Sequence, residues 1–158
     1  MQKHILNVLV ENRPGVLARI VGLITGRGYN IETLNVGPSN DPTISKMTIV
    51  IPGDETVIAQ VVAQLAKQIN VFRVDDVTAR PHIDREAILL KVSTRATGRA
   101  PIIEVAMLFG AKVVGVQPDA LTIQMLGSQM QVEQFLTLVR PFDVLDISRS
   151  GSVAMIQE

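Results

Sequence analysis

Short apolar runs alternate with polar turns along the whole chain, and their spacing switches between two periods. At 5–10 and 47–51 every second residue forms an apolar face, which predicts β-strands. At 16–27 and behind Asp54 apolar residues recur every third or fourth position, as in amphipathic helices, and Asp54 is the expected cap of the second helix. The remaining strands of this half are predicted at 31–36 and 71–78.

A polar break at 80–85 precedes a second half in which the same order of elements recurs. Apolar alternation predicts strands at 88–92, 112–116, 120–126 and 144–148. One helix is predicted to begin near Pro101, where proline suits a first turn, and another to cover 132–139. The end beyond Gly151 is predicted to be loose.

Both halves follow the order βαββαβ of the ferredoxin-like split βαβ unit. The predicted class is therefore α+β, with two such domains in tandem: the first at 1–79, a linker at 80–85 and the second at 86–158. Units of this size bury little surface, and each predicted sheet has bare edges. Both facts favour self-association through the sheets, so we expect at least a homodimer.

The turn between the first strand and the first helix carries the candidate chemistry. It contains Asn12 and Gly15, followed by Val16 and Leu17. The first N–H groups of a helix lack internal partners, and together with the helix dipole they form a site for a carboxylate. Gly15 lets a ligand approach the backbone. We therefore predict an amino-acid-binding turn, with the alternative that Asn12 is only a turn former or helix cap.

A second asparagine, Asn30, follows the first predicted helix and offers another donor and acceptor for a zwitterion. It is also compatible with a simple left-handed turn after Gly28. The aliphatic residues Val16, Leu17 and Ile31 are expected to form a dry pocket for a branched side chain. One methylene is worth only about 1–3 kcal/mol in such a pocket, so valine, leucine and isoleucine are expected to compete.

The composition argues against several other functions. The formal net charge is zero and no basic run occurs, which disfavours a nucleic-acid partner. Cysteine is absent, and the two histidines, His4 and His82, are both expected to be exposed, so neither a metal site nor a catalytic residue is predicted. No apolar run of about 18 residues or signal peptide is recognisable, which predicts a soluble cytoplasmic protein.

Several separated motifs resemble one known family. The stretch 9–19 with its Asn-Arg-Pro-Gly turn, then 27–32, resembles an ACT domain. The segments 28–34, 41–48, 84–92 and 149–151 are similar to the small regulatory subunit of acetohydroxyacid synthase, also called acetolactate synthase. The resemblance covers nearly the whole chain. Departures lie mainly in the second half, where relatives usually carry Arg in place of Gly110 and Asp in place of Gly115.

This resemblance implies a subunit without an active site or cofactor of its own. It implies that valine binds where the ACT domains of two chains pair, and that it feedback-inhibits a catalytic large subunit that the small subunit also stimulates. That partner is expected to use thiamine diphosphate, Mg and FAD. Carried over by position, one chain would contribute Asn12, Gly15, Val16 and Leu17, and the other Asn30 and Ile31.

Two other functions remain as alternatives. A free-standing ACT-domain sensor of another pathway is one, although no basic recognition helix is visible. A small ferredoxin-like enzyme is the other, because one fold hosts many functions. The sequence offers it no nucleophile–base pair, metal cluster or phosphate loop.

Overall fold

A computed structural model describes residues 2–158 and divides them into two compact units. The first unit runs to Ile83 and also takes in Gly151–Glu158, and the second comprises Asp84–Ser150. In chain order, the elements before the second unit are β1 (Lys3–Glu11), α1 (Val16–Gly26), β2 (Thr33–Pro38), β3 (Ile44–Pro52), α2 (Glu55–Ala66) and β4 (Val71–Asp76). They form a four-stranded antiparallel sheet in the order β2-β3-β1-β4.

The core of the first unit lies between its sheet and its two helices. Leu6 and Val8 of β1 are fully buried there, together with Ile20 of α1 and Leu65 of α2. Successive strand residues point to opposite faces, so the alternation seen in the sequence assigns one face of β1 to this core. Aliphatic residues fill nearly all of it, as the low aromatic content of 3% requires.

Asp54 begins α2 as predicted. Its carboxylate oxygen Oδ1 accepts a hydrogen bond of 2.8 Å from the backbone N–H of Val57, one of the amides that have no partner inside the helix. The helix therefore starts where the polar turn 52–54 ends.

Asp54→Ala is expected to lower the free energy of unfolding of the first unit by about 1 kcal/mol, because the Val57 amide loses its acceptor. Urea unfolding followed by circular dichroism measures the change. Asp54→Ser retains a capping oxygen and is expected to recover most of the loss. Equal stability of the alanine variant and the unchanged protein would contradict the capping role.

The second unit has the same architecture. Its helices and two of its strands are α3 (Ala100–Leu108), β6 (Lys112–Gln117), β7 (Ala120–Gly127) and α4 (Gln129–Val139). It also contains most of β5 (His82–Ser93) and the first part of β8 (Val144–Ile156), whose remaining residues belong to the first unit. The sheet order is β6-β7-β5-β8. Phe135 is fully buried, and its ring centroid lies 5.3 Å from that of Phe109. The α+β class with two ferredoxin-like units is thereby confirmed.

A buried ion pair joins β5 and β8 within the second unit. The Arg149 guanidinium donates to both oxygens of Glu86, at 2.6 and 3.2 Å, and to Glu133 of α4 at 3.1 Å. Bidentate pairing of this kind satisfies a carboxylate that burial would otherwise penalise. The hydrogen bond and charge of Glu86 raise the pKa of Arg149 above its usual range.

The expectation of a loose C-terminus is wrong. Strand β8 continues to Ile156, and we call residues 151–158 the C-terminal strap. Ala154 of the strap packs on Ile5 and Val50, which lie on the sheet face of the first unit opposite the helices. Its carbonyl accepts a 3.0 Å hydrogen bond from the buried amide of Asn7. The strap therefore supplies the cover for that second face.

The expectation that His4 is exposed is also wrong. Only 5% of the residue is accessible, because it lies on the same face of β1 as the buried Leu6. Its Nδ1 atom lies 3.1 Å from Oδ2 of Asp76 on the neighbouring strand β4. His82 is half-buried at the start of β5, with Nδ1 2.7 Å from the carbonyl oxygen of Arg80.

The predicted domain limits 1–79, 80–85 and 86–158 stay a prediction. The structure adds that β5 begins inside the predicted linker, at His82. It also groups the C-terminal strap with the first unit, since Ala154 and Ile156 pack on its sheet.

Candidate ligand site at the start of helix α1

The chain enters α1 through a tight turn at Arg13–Val16. The Val16 N–H donates to the carbonyl of Arg13 at 3.3 Å, and Gly15 has a φ of 85° and a ψ of −13°. Proline at the second position and a positive φ at the third define a type II turn, which favours glycine at the third position. The sequence Pro14-Gly15 thus fixes the direction in which the helix starts.

This turn leaves amide groups free at the helix N-terminus. Arg19 N–H makes the first helical bond, to the carbonyl of Gly15 at 3.0 Å. Within the described residues 2–158, the N–H groups of Gly15, Leu17 and Ala18 meet no hydrogen-bond acceptor. No acidic side chain lies in the first helical turn to compensate its positive dipole. These groups can together hold a small anion such as a carboxylate.

Cationic side chains flank the turn while the nearest acid is already paired. Glu11 accepts from Arg13 at 3.2 Å and from the side-chain amide of Asn70 at 2.7 Å. The oxygen of that amide accepts in turn from Arg19 at 2.6 Å. The negative charge of Glu11 is therefore largely compensated by Arg13 and by the hydrogen bond from Asn70. The electrostatic potential at the start of α1 then remains favourable for an anion.

The sequence allowed Asn12 to be a ligand-binding residue, a turn former or a helix cap, and the structure excludes the helix cap. Asn12 caps no helix, because the residue at the N-cap is Gly15 and α1 has no side-chain cap. Its own N–H donates to the carbonyl of Thr43 at 2.8 Å, and its side-chain nitrogen Nδ2 donates to the carbonyl of Pro42 at 2.9 Å. Asn12 is therefore an exposed residue held by the loop between β2 and β3.

Asn30 has a different environment. The turn after α1 is made by Gly28, whose φ is 81°, whereas Asn30 itself does not have a positive φ. The left-handed role that the sequence allowed for Asn30 is therefore not the one it plays. Its side chain is exposed and has no hydrogen-bond partner among residues 2–158.

The three aliphatic residues of the predicted pocket lie in different surroundings within one chain. Val16 is buried in the core of the first unit, and Ile31 packs against that core. Leu17 is 44% exposed and offers apolar surface beside the free amides. A pocket built from all three side chains is therefore not present in the single chain.

The strand register places Asn12 and Asn30 at opposite ends of the first sheet. Asn12 comes directly after Glu11, at the end of β1. Asn30 precedes Thr33, the first residue of β2, and the strand register aligns Thr33 with Val50 and, through Val50, with Ile5 near the start of β1. A strand rises about 3.3 Å per residue, so the stretch from Ile5 to Glu11 spans about 20 Å. One chain therefore cannot bring both asparagines to a ligand the size of an amino acid.

Other kinds of site have little support. Among residues 2–158 no three His, Asp or Glu side chains converge as metal ligands would. Nor does any described helix have the length and apolar character needed to cross a membrane. The fold and the turn together define an ACT-type domain followed by a second ferredoxin-like unit.

Comparison with known proteins identifies the family. Residues 6–73 match the family model described as an AHAS small subunit-like ACT domain, and 85–158 match that of the small subunit of acetolactate synthase. The chain is 43% identical to the acetolactate synthase small subunit of Aquifex aeolicus, covering 100% of this chain and 83% of that protein. It is 38% identical to the acetolactate synthase isozyme 3 small subunit of Escherichia coli K12, covering 97% and 94%.

A solved structure agrees over the full length. The crystal structure of the acetolactate synthase small subunit from Thermotoga maritima superposes with a TM-score of 0.86 at 31% identity, covering 100% of this chain and 99% of that one. The chain belongs to the family of acetolactate synthase small subunits, which are regulatory subunits with an ACT domain.

Proposed function

We propose that this chain binds valine between the ACT domains of two copies and thereby feedback-inhibits a catalytic large subunit, which it also stimulates. The observation that carries the proposal is the separation of Asn12 and Asn30 by about 20 Å at opposite ends of one sheet. A ligand that uses both asparagines needs a second chain.

Pairing through the edge strand β2 satisfies that need. β2 lies at one edge of the first sheet, where its outer backbone groups are available to another strand. In an antiparallel pair of two β2 strands, the Thr33 end of one strand lies beside the Pro38 end of the other. Asn30 of one copy then comes near Asn12 of the other, and the two-fold symmetry creates two equivalent sites.

The free amides suit the charge of the ligand. The N–H groups of Gly15, Leu17 and Ala18 would hold the carboxylate of the amino acid. Leu17 of one copy and Ile31 of the other would contact the branched side chain. Leucine and isoleucine differ from valine by one methylene. Each would therefore compete with valine for the site, with a dissociation constant that differs from that of valine by about 10- to 100-fold.

The regulatory role requires a partner, and this chain contributes no catalytic group to it. The partner is a large subunit that carries thiamine diphosphate, Mg and FAD and condenses pyruvate. Valine can shift its activity only by binding two arrangements of the paired ACT domains unequally. The coupling is reciprocal for binding, so the large subunit would change the affinity for valine by the same factor as valine changes the affinity for the large subunit.

Calorimetric titration of valine into the full-length protein is expected to give saturable heat. Asn30→Ala is expected to weaken binding about tenfold, because one hydrogen bond to a charged group of the ligand is lost. The control is Gln134→Ala, which removes an exposed amide from α4 of the second unit and is expected to leave the affinity unchanged. Absence of heat at millimolar valine, in folded and dimeric protein, would refute the valine assignment.

Capture of partners from lysate with the tagged chain distinguishes the remaining alternatives. The proposal requires a large thiamine-dependent subunit in the eluate, whose acetolactate synthesis this chain increases and valine then reduces. A free-standing sensor of another pathway would bind an amino acid without retaining that subunit. Conversion of pyruvate by this chain alone would instead support the hypothesis of a small enzyme.

A further inference from the structure

The loop between β2 and β3 is held in one conformation by its own polar side chains. The Asp41 oxygen Oδ1 accepts from the N–H of Thr43 at 2.9 Å and from its hydroxyl at 2.7 Å. The Ser39 hydroxyl oxygen lies 2.9 Å from the carbonyl oxygen of Asp41 and 2.8 Å from that of Ile44, and its single proton is shared between these two acceptors. These bonds define the backbone direction at Pro42 and Thr43, whose carbonyls would otherwise move with an exposed turn.

Those two carbonyls are the partners of Asn12. The Thr43 carbonyl accepts from the backbone N–H of Asn12 at 2.8 Å, and the Pro42 carbonyl accepts from the Asn12 side-chain nitrogen at 2.9 Å. A carbonyl oxygen cannot donate, so the Asn12 nitrogen must face Pro42. The Asn12 oxygen Oδ1 has no partner among the described residues and is the atom left to accept from a ligand.

We propose that Asp41 is a positioning residue for ligand recognition: through Pro42 and Thr43 it holds Asn12 with Oδ1 directed to the ligand ammonium group. The inference rests on the function proposed above and adds which protein group binds each charged group of the ligand. The amides at the start of α1 take the carboxylate, while Oδ1 of Asn12 takes the ammonium. The site would thus select zwitterionic amino acids over the corresponding acids that lack an amino group.

The charge state of Asp41 fits this role. The two hydrogen bonds from Thr43 stabilise the carboxylate and lower the pKa of Asp41 below its ordinary value. The group is therefore ionised at neutral pH and accepts both bonds there. Since the Asp41 carboxylate accepts from Thr43 of its own loop, it acts on the ligand through Asn12 and not by contact.

The decisive experiment compares two ligands across three variants of the full-length chain. Dissociation constants are measured for valine and for 3-methylbutanoate, which keeps the carboxylate and the branched chain but has no amino group. The unchanged protein is expected to bind valine at least tenfold more tightly. Asp41→Ala is expected to weaken valine binding about fivefold and to leave the dissociation constant for 3-methylbutanoate unchanged. The preference for valine over 3-methylbutanoate would therefore decrease about fivefold.

Two further variants separate positioning from general loss of structure. Asp41→Asn keeps the Oδ1 acceptor without the charge and is expected to restore valine affinity to within about twofold of the unchanged protein. Asp119→Ala removes an exposed acid from the corresponding turn of the second unit, where it accepts from Arg95 at 3.1 Å, and is expected to change neither ligand. In nuclear magnetic resonance spectra, the side-chain amide signals of Asn12 are expected to move in Asp41→Ala and to keep their positions in Asp119→Ala.

The outcomes distinguish this inference from the proposed function. If the unchanged protein does not bind valine, the proposed function fails and the inference fails with it. If the unchanged protein binds valine and Asp41→Ala binds both ligands with unchanged affinity, only the positioning role is refuted. An equal loss of affinity for both ligands in Asp41→Ala would also refute it, because the loop would then support the site as a whole.

Discussion

Gly15→Val is expected to raise the dissociation constant for valine about 1000-fold while the chain still folds. A Cβ at residue 15 meets no atom within 4 Å apart from local backbone and the two adjacent residues, so the new side chain would occupy the open space over the free amides. Two charge-assisted hydrogen bonds to the ligand carboxylate, each worth about 1.5–3 kcal/mol, would be lost. Their combined loss corresponds to about three orders of magnitude in affinity. Titration calorimetry against the unchanged protein measures the effect.

The matched control for backbone strain is Gly98→Val in the second unit. Gly98 has a φ of 77°, close to the 85° of Gly15, and it also has nothing within 4 Å of an added Cβ. Both variants are expected to lose about 1–2 kcal/mol of stability, because valine is unfavourable in the left-handed region. Only Gly15→Val is expected to lose valine binding. Normal binding by both variants would mean that the ligand carboxylate does not dock on this turn.

Ala154→Asp is expected to cost the first unit about 3–5 kcal/mol of stability. Ala154 is 7% exposed and packs with Ile5, Val50 and Val77 on the sheet face opposite the helices. A carboxylate at that position would be buried among aliphatic side chains without a partner, which is one of the few mechanisms that give a change of this size. Urea unfolding by circular dichroism and hydrogen exchange of the β1 amides measure the loss.

The neighbouring residue provides the control for this substitution. Val153 is 49% exposed, and adjacent strand residues point to opposite sides, so Val153→Asp is expected to change stability by no more than about 0.5 kcal/mol. A similar, small effect of both substitutions would contradict the packing of the C-terminal strap on the first unit. A large loss for Ala154→Asp alone would establish the strap as part of the core.

Features with local causes were predicted well from the sequence. The apolar alternation in β1, the cap at Asp54 and the turn at Pro14-Gly15 each depend on residues within a few positions of one another. Their outcome is therefore encoded in the spacing itself. The order βαββαβ was predicted for both halves from these local patterns, and the structure has it in both. The matches of both halves to the small-subunit family agree with it.

The corrected predictions share a different cause. The end beyond Gly151 was expected to be loose, yet the carbonyl of Ala154 accepts a hydrogen bond from the side chain of Asn7 across a sequence separation of 147. His4 was expected to be an exposed strand residue because it lies near the start of the chain. Its partner Asp76 lies on β4, brought alongside β1 by the sheet. Neither partnership can be inferred from neighbouring residues.

The candidate site divides in the same way. The sequence alone determined the turn at Gly15 and with it the free amides at the start of α1, because glycine and proline restrict backbone angles locally. Tertiary structure alone decided that Pro42 and Thr43 hold Asn12, and that Asn30 lies at the other end of the sheet. The physical reason is that these relations depend on strand register, which is fixed by packing and hydrogen bonds between segments far apart in the chain.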